Sequence, residues 1–303
     1  GATEDARAGF ELARALGVVL TAGDERFLTA HRAKPMASDE AYAASLDDAE
    51  RRALVDEDDG LLGELLELVG EAVALICPDA RNALERADLS GARRIDPGTA
   101  TAAAYPQIAN ALHGPQTLLF AIHRGEDLSL LLAAPPVVVI GPKLASVRAA
   151  SQAEVVHETD AELRFRLGRI VELARTRRLF AAGTGPAQFK RFVNGVYHAF
   201  AKPVDNDRSA VTEADRLRSA IPLLLRRRIS EKLAGVELDQ LDTAAYLQAC
   251  ERAADRSGLL ACGDIGIAIA GAGGMARARH LVKLAASPRY LLARKKLRSR
   301  SKS

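Results

Sequence analysis

The hydrophobic pattern of this chain is helical over most of its length and becomes strand-like in a central stretch. Three short runs rich in Leu, Val and Ile lie at residues 117–123, 127–133 and 137–141. An Arg-Gly and a Pro-Pro dipeptide separate them, as is typical of strands joined by turns. We therefore expect an α+β, mainly helical fold with one small β-sheet of about three strands that includes a hairpin.

Apolar residues recur at helical spacing on both sides of this stretch. Between residues 161 and 175, Leu163, Leu167 and Val171 belong to one apolar stripe, which predicts an amphipathic helix. Further helices are expected at residues 4–16, 46–54, 61–76, 186–201, 213–233, 242–262 and from 275 onward. Pro222 should begin or kink the second half of the 213–233 helix.

The domain organisation predicted from these patterns is one continuous α+β domain in three portions. Residues 1–115 form an N-terminal helical portion, within which the polar and acidic residues 32–60 are expected to be a mobile surface segment. Residues 116–274 form the core, and residues 275–303 form a basic C-terminal helix or tail. No internal repeat of fixed period is evident in the 303 residues.

Composition excludes some classes of protein. No apolar run approaches 18 residues, so no membrane span is expected, and the acidic first residues lack the apolar stretch of a signal peptide. Cys77, Cys250 and Cys262 are odd in number and lack CxxC spacing, which favours free thiols in a reducing compartment. The expected location is therefore cytoplasmic.

Residues 162–173 read E-L-R-F-R-L-G-R-I-V-E-L. This segment resembles the active-site helix of zinc peptidases, E-L-x-x-x-L-G-H-E-x-x-H, in which two His residues bind zinc and a Glu acts as base. The three chemical positions are occupied here by Arg169, Ile170 and Leu173. A strand-like run at 137–141 precedes the segment, as an edge strand precedes the metal helix in zincins.

A second motif lies downstream, where residues 251–259 read E-R-A-A-D-R-S-G-L. It resembles the E-x-x-A-D-R-x-G-L element of the membrane and CAAX-type zinc endopeptidase family. The resemblance implies that Glu251 stands at the third zinc-ligand position, and that Asp255 stands where an Asp supports a ligand His. The chain also resembles the C-terminal region of large bacterial tetratricopeptide-repeat proteins, which carry ELxFxxGR and ADRAGLxxCGD signatures.

Together these resemblances imply that the core is a degenerate zincin-like domain, in which the small sheet packs on a zincin-like helix pair. Arg and Leu provide no lone pair for zinc, and Ile cannot act as a base. We therefore expect no metal, no cofactor and no peptide cleavage. The expected role is that of a pseudoenzyme: a non-catalytic protein-interaction or scaffold domain, part of a larger protein, with a protein partner.

Two alternatives stay open at this point. The 162–173 segment could be an ordinary amphipathic core helix with a coincidental motif. The chain could also be a peptidase or hydrolase that uses a site not recognised in its sequence.

The resemblance also leads to a structural hypothesis about Arg169. In the place of a ligand His, it would face Glu251 and Asp255, which lie one turn apart on the opposing helix. Its planar guanidinium could bridge both carboxylates in place of the metal. If the bridge is buried, removal of Arg169 should cost about 3–5 kcal/mol.

Charge is strongly asymmetric along the chain. Residues 1–60 hold 14 acidic and 7 basic side chains, whereas residues 275–303 hold ten basic side chains and no acidic one. This tail allows three interpretations: a solvated terminal helix, binding to an acidic partner or to the protein's own acidic N-terminal segment, and sequence-independent contact with nucleic acid or an anionic surface. The candidate anion-binding residues are Arg294, Lys295, Lys296, Arg298, Arg300 and Lys302.

Three weaker patterns are interpreted structurally. The sequence from His157 to Asp160 begins like a zinc motif, but we expect it to be the loop and cap of the following helix. Residues 56–60 lack the closing Glu of a calcium loop and should form a solvated acidic turn. The Gly-rich residues 271–274 should form an interhelical loop and not a phosphate-binding turn, because no parallel strand precedes them.

Overall fold

A computed structural model of the protein describes residues 2–31, 42–56, 60–125, 128–146, 157–202 and 208–298. Within these ranges the fold is α+β and mainly helical, so the expected fold class is confirmed. None of the described helices combines the length and the apolar character needed to cross a membrane.

The helices before the second strand are α1 (Ala2–Ala15), α2 (Ala22–Ala30), α3 (Asp48–Val55), α4 (Gly60–Gly70), α5 (Val73–Ile76), α6 (Ala80–Arg86) and α7 (Ala100–Ala111). The strands are β1 (Arg93–Arg94), β2 (Leu118–Ala121), β3 (Leu128–Leu131) and β4 (Val137–Ile140). The later helices are α8 (Pro142–Ser146), α9 (His157–Leu173), α10 (Thr176–Ala182), α11 (Pro186–Phe200), α12 (Arg208–Ala220), α13 (Leu223–Lys232), α14 (Thr243–Cys262), α15 (Ile265–Gly271), α16 (Arg279–Ala285) and α17 (Pro288–Arg298), with a 3₁₀ turn at Leu238–Gln240.

The sheet has four strands in the order β1-β2-β4-β3, and not the three expected. Strands β3 and β4 form the expected antiparallel hairpin, and β2 runs parallel to β4. The additional strand, β1, pairs antiparallel with β2 through two residues only. Two residues cannot show the alternation by which a strand is recognised in a sequence, which is why β1 was missed.

Both faces of the sheet are covered by helices. Side chains alternate along β4, so that successive residues point to opposite faces. Val138 and Ile140 join the main core, which also contains Tyr105 of α7 and Leu167 of α9. On the other face, Val137 and its neighbours pack against α6. The sheet therefore rests directly on the helix that carries the first sequence motif.

Several predicted helices are divided in the structure. The region expected at 213–233 consists of α12 and α13, and Pro222 is the N-cap of α13, as its fixed φ angle favours. The region expected at 61–76 consists of α4 and α5, which are separated after Gly70. The terminal region consists of α16 and α17, with Pro288 at the start of α17.

Two expectations about surface segments are wrong within the described residues. The short helix near residue 50 exists as α3, but Leu46, Leu54 and Val55 are buried in the main core, so this part of the acidic segment is not a solvated surface. Residues 32–41 and 57–59 lie outside the described part. His157 begins helix α9 and does not belong to a loop before it.

Candidate functional site

Helices α9 and α14 cross so closely that their backbones nearly touch. A Cβ atom on Gly168 would lie 2.6 Å from Ala261 Cβ, and one on Gly258 would lie 2.7 Å from the Phe165 ring. Only glycine therefore fits at either position without movement of the facing helix. The Ser257 hydroxyl adds a hydrogen bond of 2.9 Å to the Gly168 carbonyl oxygen. The two sequence motifs thus meet as one helix pair.

Arg169 of α9 bridges two carboxylates that lie one turn apart on α14. Its Nη2 atom lies 2.5 Å from Glu251 Oε2, and its Nη1 atom forms an ion pair with Asp255 Oδ1. The guanidinium also lies 5.8 Å from the centroid of the Phe165 ring, within the range of a cation–π contact. The structure therefore contains the contact hypothesised for Arg169 from the sequence.

The bridge is only partly buried. The side chain of Arg169 is 22% exposed and that of Asp255 is 9% exposed, but Glu251 is 60% exposed. The expected cost of 3–5 kcal/mol for removal of Arg169 assumed two buried carboxylates. Since water can solvate Glu251, we lower that expectation to about 1–3 kcal/mol.

His280 of α16 approaches the same carboxylate from the other side. Its Nε2 atom lies 3.5 Å from Asp255 Oδ2, and its side chain is 10% exposed. Asp255 therefore contacts side chains from both α9 and α16. Sequence reasoning missed His280, because it lies 25 positions after Asp255 and shows no spacing that relates the two residues.

These charged side chains lie at a pocket of about 720 Å³, which we call the charged pocket. Helices α9, α14 and α16, the first turn of α11 and the end of α15 contribute to its walls. The lining residues are Arg169, Pro186, Leu247, Gln248, Glu251, Arg252, Asp255, Gly271, Ala272, Gly273, Arg277 and His280.

The other two positions of the first motif do not line this pocket. Ile170 is buried in the main core, and the partly buried Leu173 packs against that core and a second cluster formed by α4, α10 and α11. The structure thus brings Arg169, Glu251 and Asp255 together and directs Ile170 and Leu173 into the protein interior. Among the described residues, no group of three or more His, Cys, Asp or Glu side chains is placed to hold a metal ion.

The backbone N–H groups of the Gly-rich turn at the edge of the pocket already form hydrogen bonds within the protein. The N–H groups of Ala272, Gly273 and Gly274 donate hydrogen bonds of 2.9 to 3.1 Å to carbonyl oxygens of α15. The turn therefore closes the C-terminus of α15, and these amides do not form a cradle for a phosphate. This agrees with its interpretation as an interhelical loop.

A second cluster of charges, which we call the closed cluster, was not foreseen from the sequence. Glu172 on α9 is fully buried and accepts hydrogen bonds from Arg51 at 3.1 Å and from Arg175 at 2.8 Å, and it forms an ion pair with Arg178. Arg51 lies on α3 and Arg178 on α10, and both are almost completely buried. The cluster therefore ties three helices together inside the protein.

Asp56 closes this cluster on one side. It pairs with Arg51 at 3.2 Å, with Arg178 at 3.1 Å and with Arg177. Burial by itself would raise the pKa of Asp56, but the charges of Arg178, Arg51 and Arg177 outweigh it and hold the pKa below its ordinary value. Asp56 therefore does not belong to the solvated acidic turn expected from the sequence.

The basic C-terminal helix is folded onto the acidic N-terminal helix. Arg294 is buried and pairs with Glu4 at 2.8 Å and with Glu11 at 2.7 Å, and Lys295 pairs with Asp5 at 2.6 Å. Burial would raise the pKa of Glu11, but the charges and hydrogen bonds of Arg294 and Arg7 together outweigh it and lower that pKa. Of the three interpretations of the tail, pairing with the protein's own acidic segment is thus observed for Arg294 and Lys295.

The remaining candidate residues of the tail divide into two groups. Lys296 pairs with Glu50 at 2.6 Å, and Arg298 donates a hydrogen bond of 2.5 Å to the Cys262 carbonyl oxygen. Arg300 and Lys302 lie outside the described residues.

A different set of cations is exposed and unpaired. Arg277 at the edge of the charged pocket, and Arg279 and Lys283 one turn apart on α16, are all exposed. Within the part of the chain that the structure describes, none of the three has an ion-pair partner. We call these three residues the α16 cations. The sequence contains ten basic residues between positions 275 and 303, and nothing in it distinguishes the paired ones from the unpaired ones.

Comparisons with protein-family models, with curated proteins and with solved structures found no match to this chain. The zinc-endopeptidase resemblance is therefore supported by its sequence motifs alone.

Proposed function

We propose that this protein is a non-catalytic interaction domain whose charged pocket, together with the α16 cations, binds an acidic segment of a protein partner. The observation that carries the proposal is the contrast between two sets of cations. The described cations of the C-terminal candidate set are engaged with the protein itself. Arg277, Arg279 and Lys283, by contrast, are exposed and have no ion-pair partner among the described residues. Arg277 lines the charged pocket, and the other two lie on α16, the helix that contributes His280 to it.

The absence of catalysis is proposed from side-chain chemistry. At the three positions that bind zinc and supply the base in the resembling family, Arg169 is a fixed cation that already bridges two acids, and Ile170 and Leu173 pack into the interior. A degenerate zincin-like fold acting as a scaffold, appended to a larger protein, accounts for these substitutions. No specific observation favours a hydrolase with another site.

An acidic peptide is favoured over nucleic acid as the occupant. Nucleic-acid sites without sequence preference combine cations with aromatic rings on which bases stack. The one aromatic residue of the basic region, Tyr290, is buried. The pocket also contains the carboxylates of Glu251 and Asp255, which would repel the continuous run of phosphates in a nucleic acid. A peptide that alternates acidic and neutral residues can place a neutral residue beside these carboxylates and an acidic residue beside the cations.

The first test is binding of a fluorescein-labelled peptide of alternating Glu and Gly, followed by fluorescence anisotropy. We expect saturable binding that is weakened at least about tenfold in the variant Arg279→Glu/Lys283→Glu. The matched control is Arg93→Glu/Lys190→Glu, which makes the same charge change at two exposed cations outside the site. Equal weakening in both variants, or tighter binding of duplex DNA than of the peptide, would contradict the proposed partner.

The second test concerns the chemistry. Elemental analysis of the purified protein should show no stoichiometric zinc, and addition of zinc should not change its thermal stability. One zinc ion per chain, with loss of stability on chelation, would contradict the non-catalytic assignment.

A further inference from the structure

A second pocket, of about 590 Å³, shares no lining residue with the charged pocket. Helices α5, α10, α11 and α12 and the last residue of α6 surround it, and the residue after β3, Leu132, closes one side. Its volume falls within the range of about 300–1,000 Å³ that is usual for small-molecule sites. We call it the amphipathic pocket, because one wall is apolar and its rim is cationic.

The apolar wall is built around two aromatic rings. Phe180 and Phe192 are stacked, with ring centroids 4.6 Å apart and an interplanar angle of 11°. Leu75 lines the same pocket and is 59% exposed. A large apolar side chain left in contact with water beside aromatic rings is surface that gains free energy when an apolar ligand covers it.

Two of the cations at this pocket have no carboxylate partner among the residues that the structure describes. Arg216 is satisfied, because it forms two hydrogen bonds with Glu213, at 3.0 and 2.5 Å, and one with the Ile76 carbonyl oxygen at 2.6 Å. Arg86 and Arg191, by contrast, are exposed, and no described residue forms an ion pair with either of them. The rim of the amphipathic pocket therefore carries two uncompensated positive charges.

We propose that the amphipathic pocket binds a small carboxylate with an apolar body, such as a medium-chain fatty acid. The apolar chain lies against Leu75 and Phe192, and the carboxylate pairs with Arg86 and Arg191. Arginine suits this role, because its planar fork matches the geometry of a carboxylate. A small molecule fits better than a peptide, because the site is a pocket with residues from five helices around it and not an extended groove.

The test is titration of the full chain with decanoate in an isothermal calorimeter. Saturable binding with a stoichiometry near one is expected. The variant Arg86→Gln/Arg191→Gln should weaken binding at least about tenfold, because it removes the charge and leaves the apolar wall intact. Leu75→Asp should weaken binding to a similar extent, because it removes an apolar side chain from the wall and leaves both arginines in place. Both variants change exposed side chains, so the fold is expected to persist, and circular dichroism verifies this.

Two controls decide between this site and unspecific adsorption. Decanol, which has the same chain without the carboxylate, should bind at least about tenfold more weakly than decanoate. Arg277→Glu, in the charged pocket, should bind decanoate as the unmodified protein does, so the two proposed sites are tested separately. Absence of saturable decanoate binding, or equal binding by Arg86→Gln/Arg191→Gln, would overturn the proposal.

Discussion

Arginine and carboxylate side chains meet in two different settings in this protein. In the closed cluster, Glu172 is fully buried between Arg51 and Arg178. In the charged pocket, Arg169 bridges α9 to α14, but one of its partners, Glu251, is 60% exposed. Both clusters use the same helix, α9, and their residues on it lie only three positions apart.

The difference shows how burial decides what an ion pair does. A buried carboxylate has lost its water, so its arginine partners must replace all of that hydration, and loss of either side leaves an unpaired buried charge. A partly exposed pair keeps much of its hydration and contributes little to stability. The closed cluster therefore contributes to stability, whereas the charged pocket is where we propose that a ligand binds.

The largest effect is expected for Glu172→Gln in the closed cluster. The substitution keeps the size of the side chain but removes the fully buried carboxylate that Arg51 and Arg178 share, so that Asp56 alone has to pair with both guanidinium groups. We expect the free energy of unfolding to fall by about 3–5 kcal/mol, as measured by chemical denaturation. A loss below about 1 kcal/mol would show that the closed cluster does not act on stability as its burial indicates.

A smaller loss is expected for Arg169→Met. It leaves Asp255, which is largely buried, without its arginine partner and beside His280, while Glu251 is solvated. The free energy of unfolding should fall by about 1–3 kcal/mol. If the loss equals that of Glu172→Gln measured alongside, the distinction between an open and a closed cluster is wrong.

The closed cluster should also show a dependence on pH through Asp56. The neighbouring arginines hold the pKa of Asp56 below its ordinary value of 3.8. Its contribution to stability is therefore complete above that value and is lost as the pH falls through the lower pKa of the folded state. Asp56→Asn should be less stable than the unmodified protein near neutral pH, and the gap should narrow on acidification below about pH 4. A gap that stays constant from about pH 6 to pH 2 would contradict this role.

The smallest effect is expected for Glu251→Gln, which makes the same change as Glu172→Gln at an exposed position. The free energy of unfolding should change by less than about 1 kcal/mol. Binding of the acidic peptide, however, should be unchanged or tighter, because a negative charge is removed from the charged pocket. Weaker peptide binding by this variant would mean that the partner is not acidic.

The sequence predicts well those features that depend on local periodicity. The apolar stripe of α9 is buried as expected, Pro222 divides two helices, and the β3–β4 hairpin is present. The contact between Arg169 and the two acids of α14 was also foreseen, because the resemblance to the zinc endopeptidase family implies that the two motif helices face each other. The four-stranded sheet was underpredicted, since β1 has too few residues to show a pattern.

Features that join distant parts of the chain could not be predicted. Glu172 follows Val171 in an apolar stripe and looks like a solvated helix residue, yet Arg51 reaches it from 121 positions away. The pairing of Arg294 with Glu4 joins the two ends of the chain. The charge asymmetry of the chain indicates that its acidic and basic ends can pair. Only the packing of α17 on α1 decides which cations form these ion pairs and which, such as Lys283, remain exposed.

Arg169 ties α9 to α14 at the charged pocket, and we propose that it stands in the place where the resembling family holds its metal. A double-mutant cycle with Arg169→Met and Asp255→Asn tests it most directly. We predict a coupling energy of about 1–3 kcal/mol in the free energy of unfolding, as for residues in direct contact. If the two substitutions are additive within about 0.5 kcal/mol, Arg169 does not perform this role.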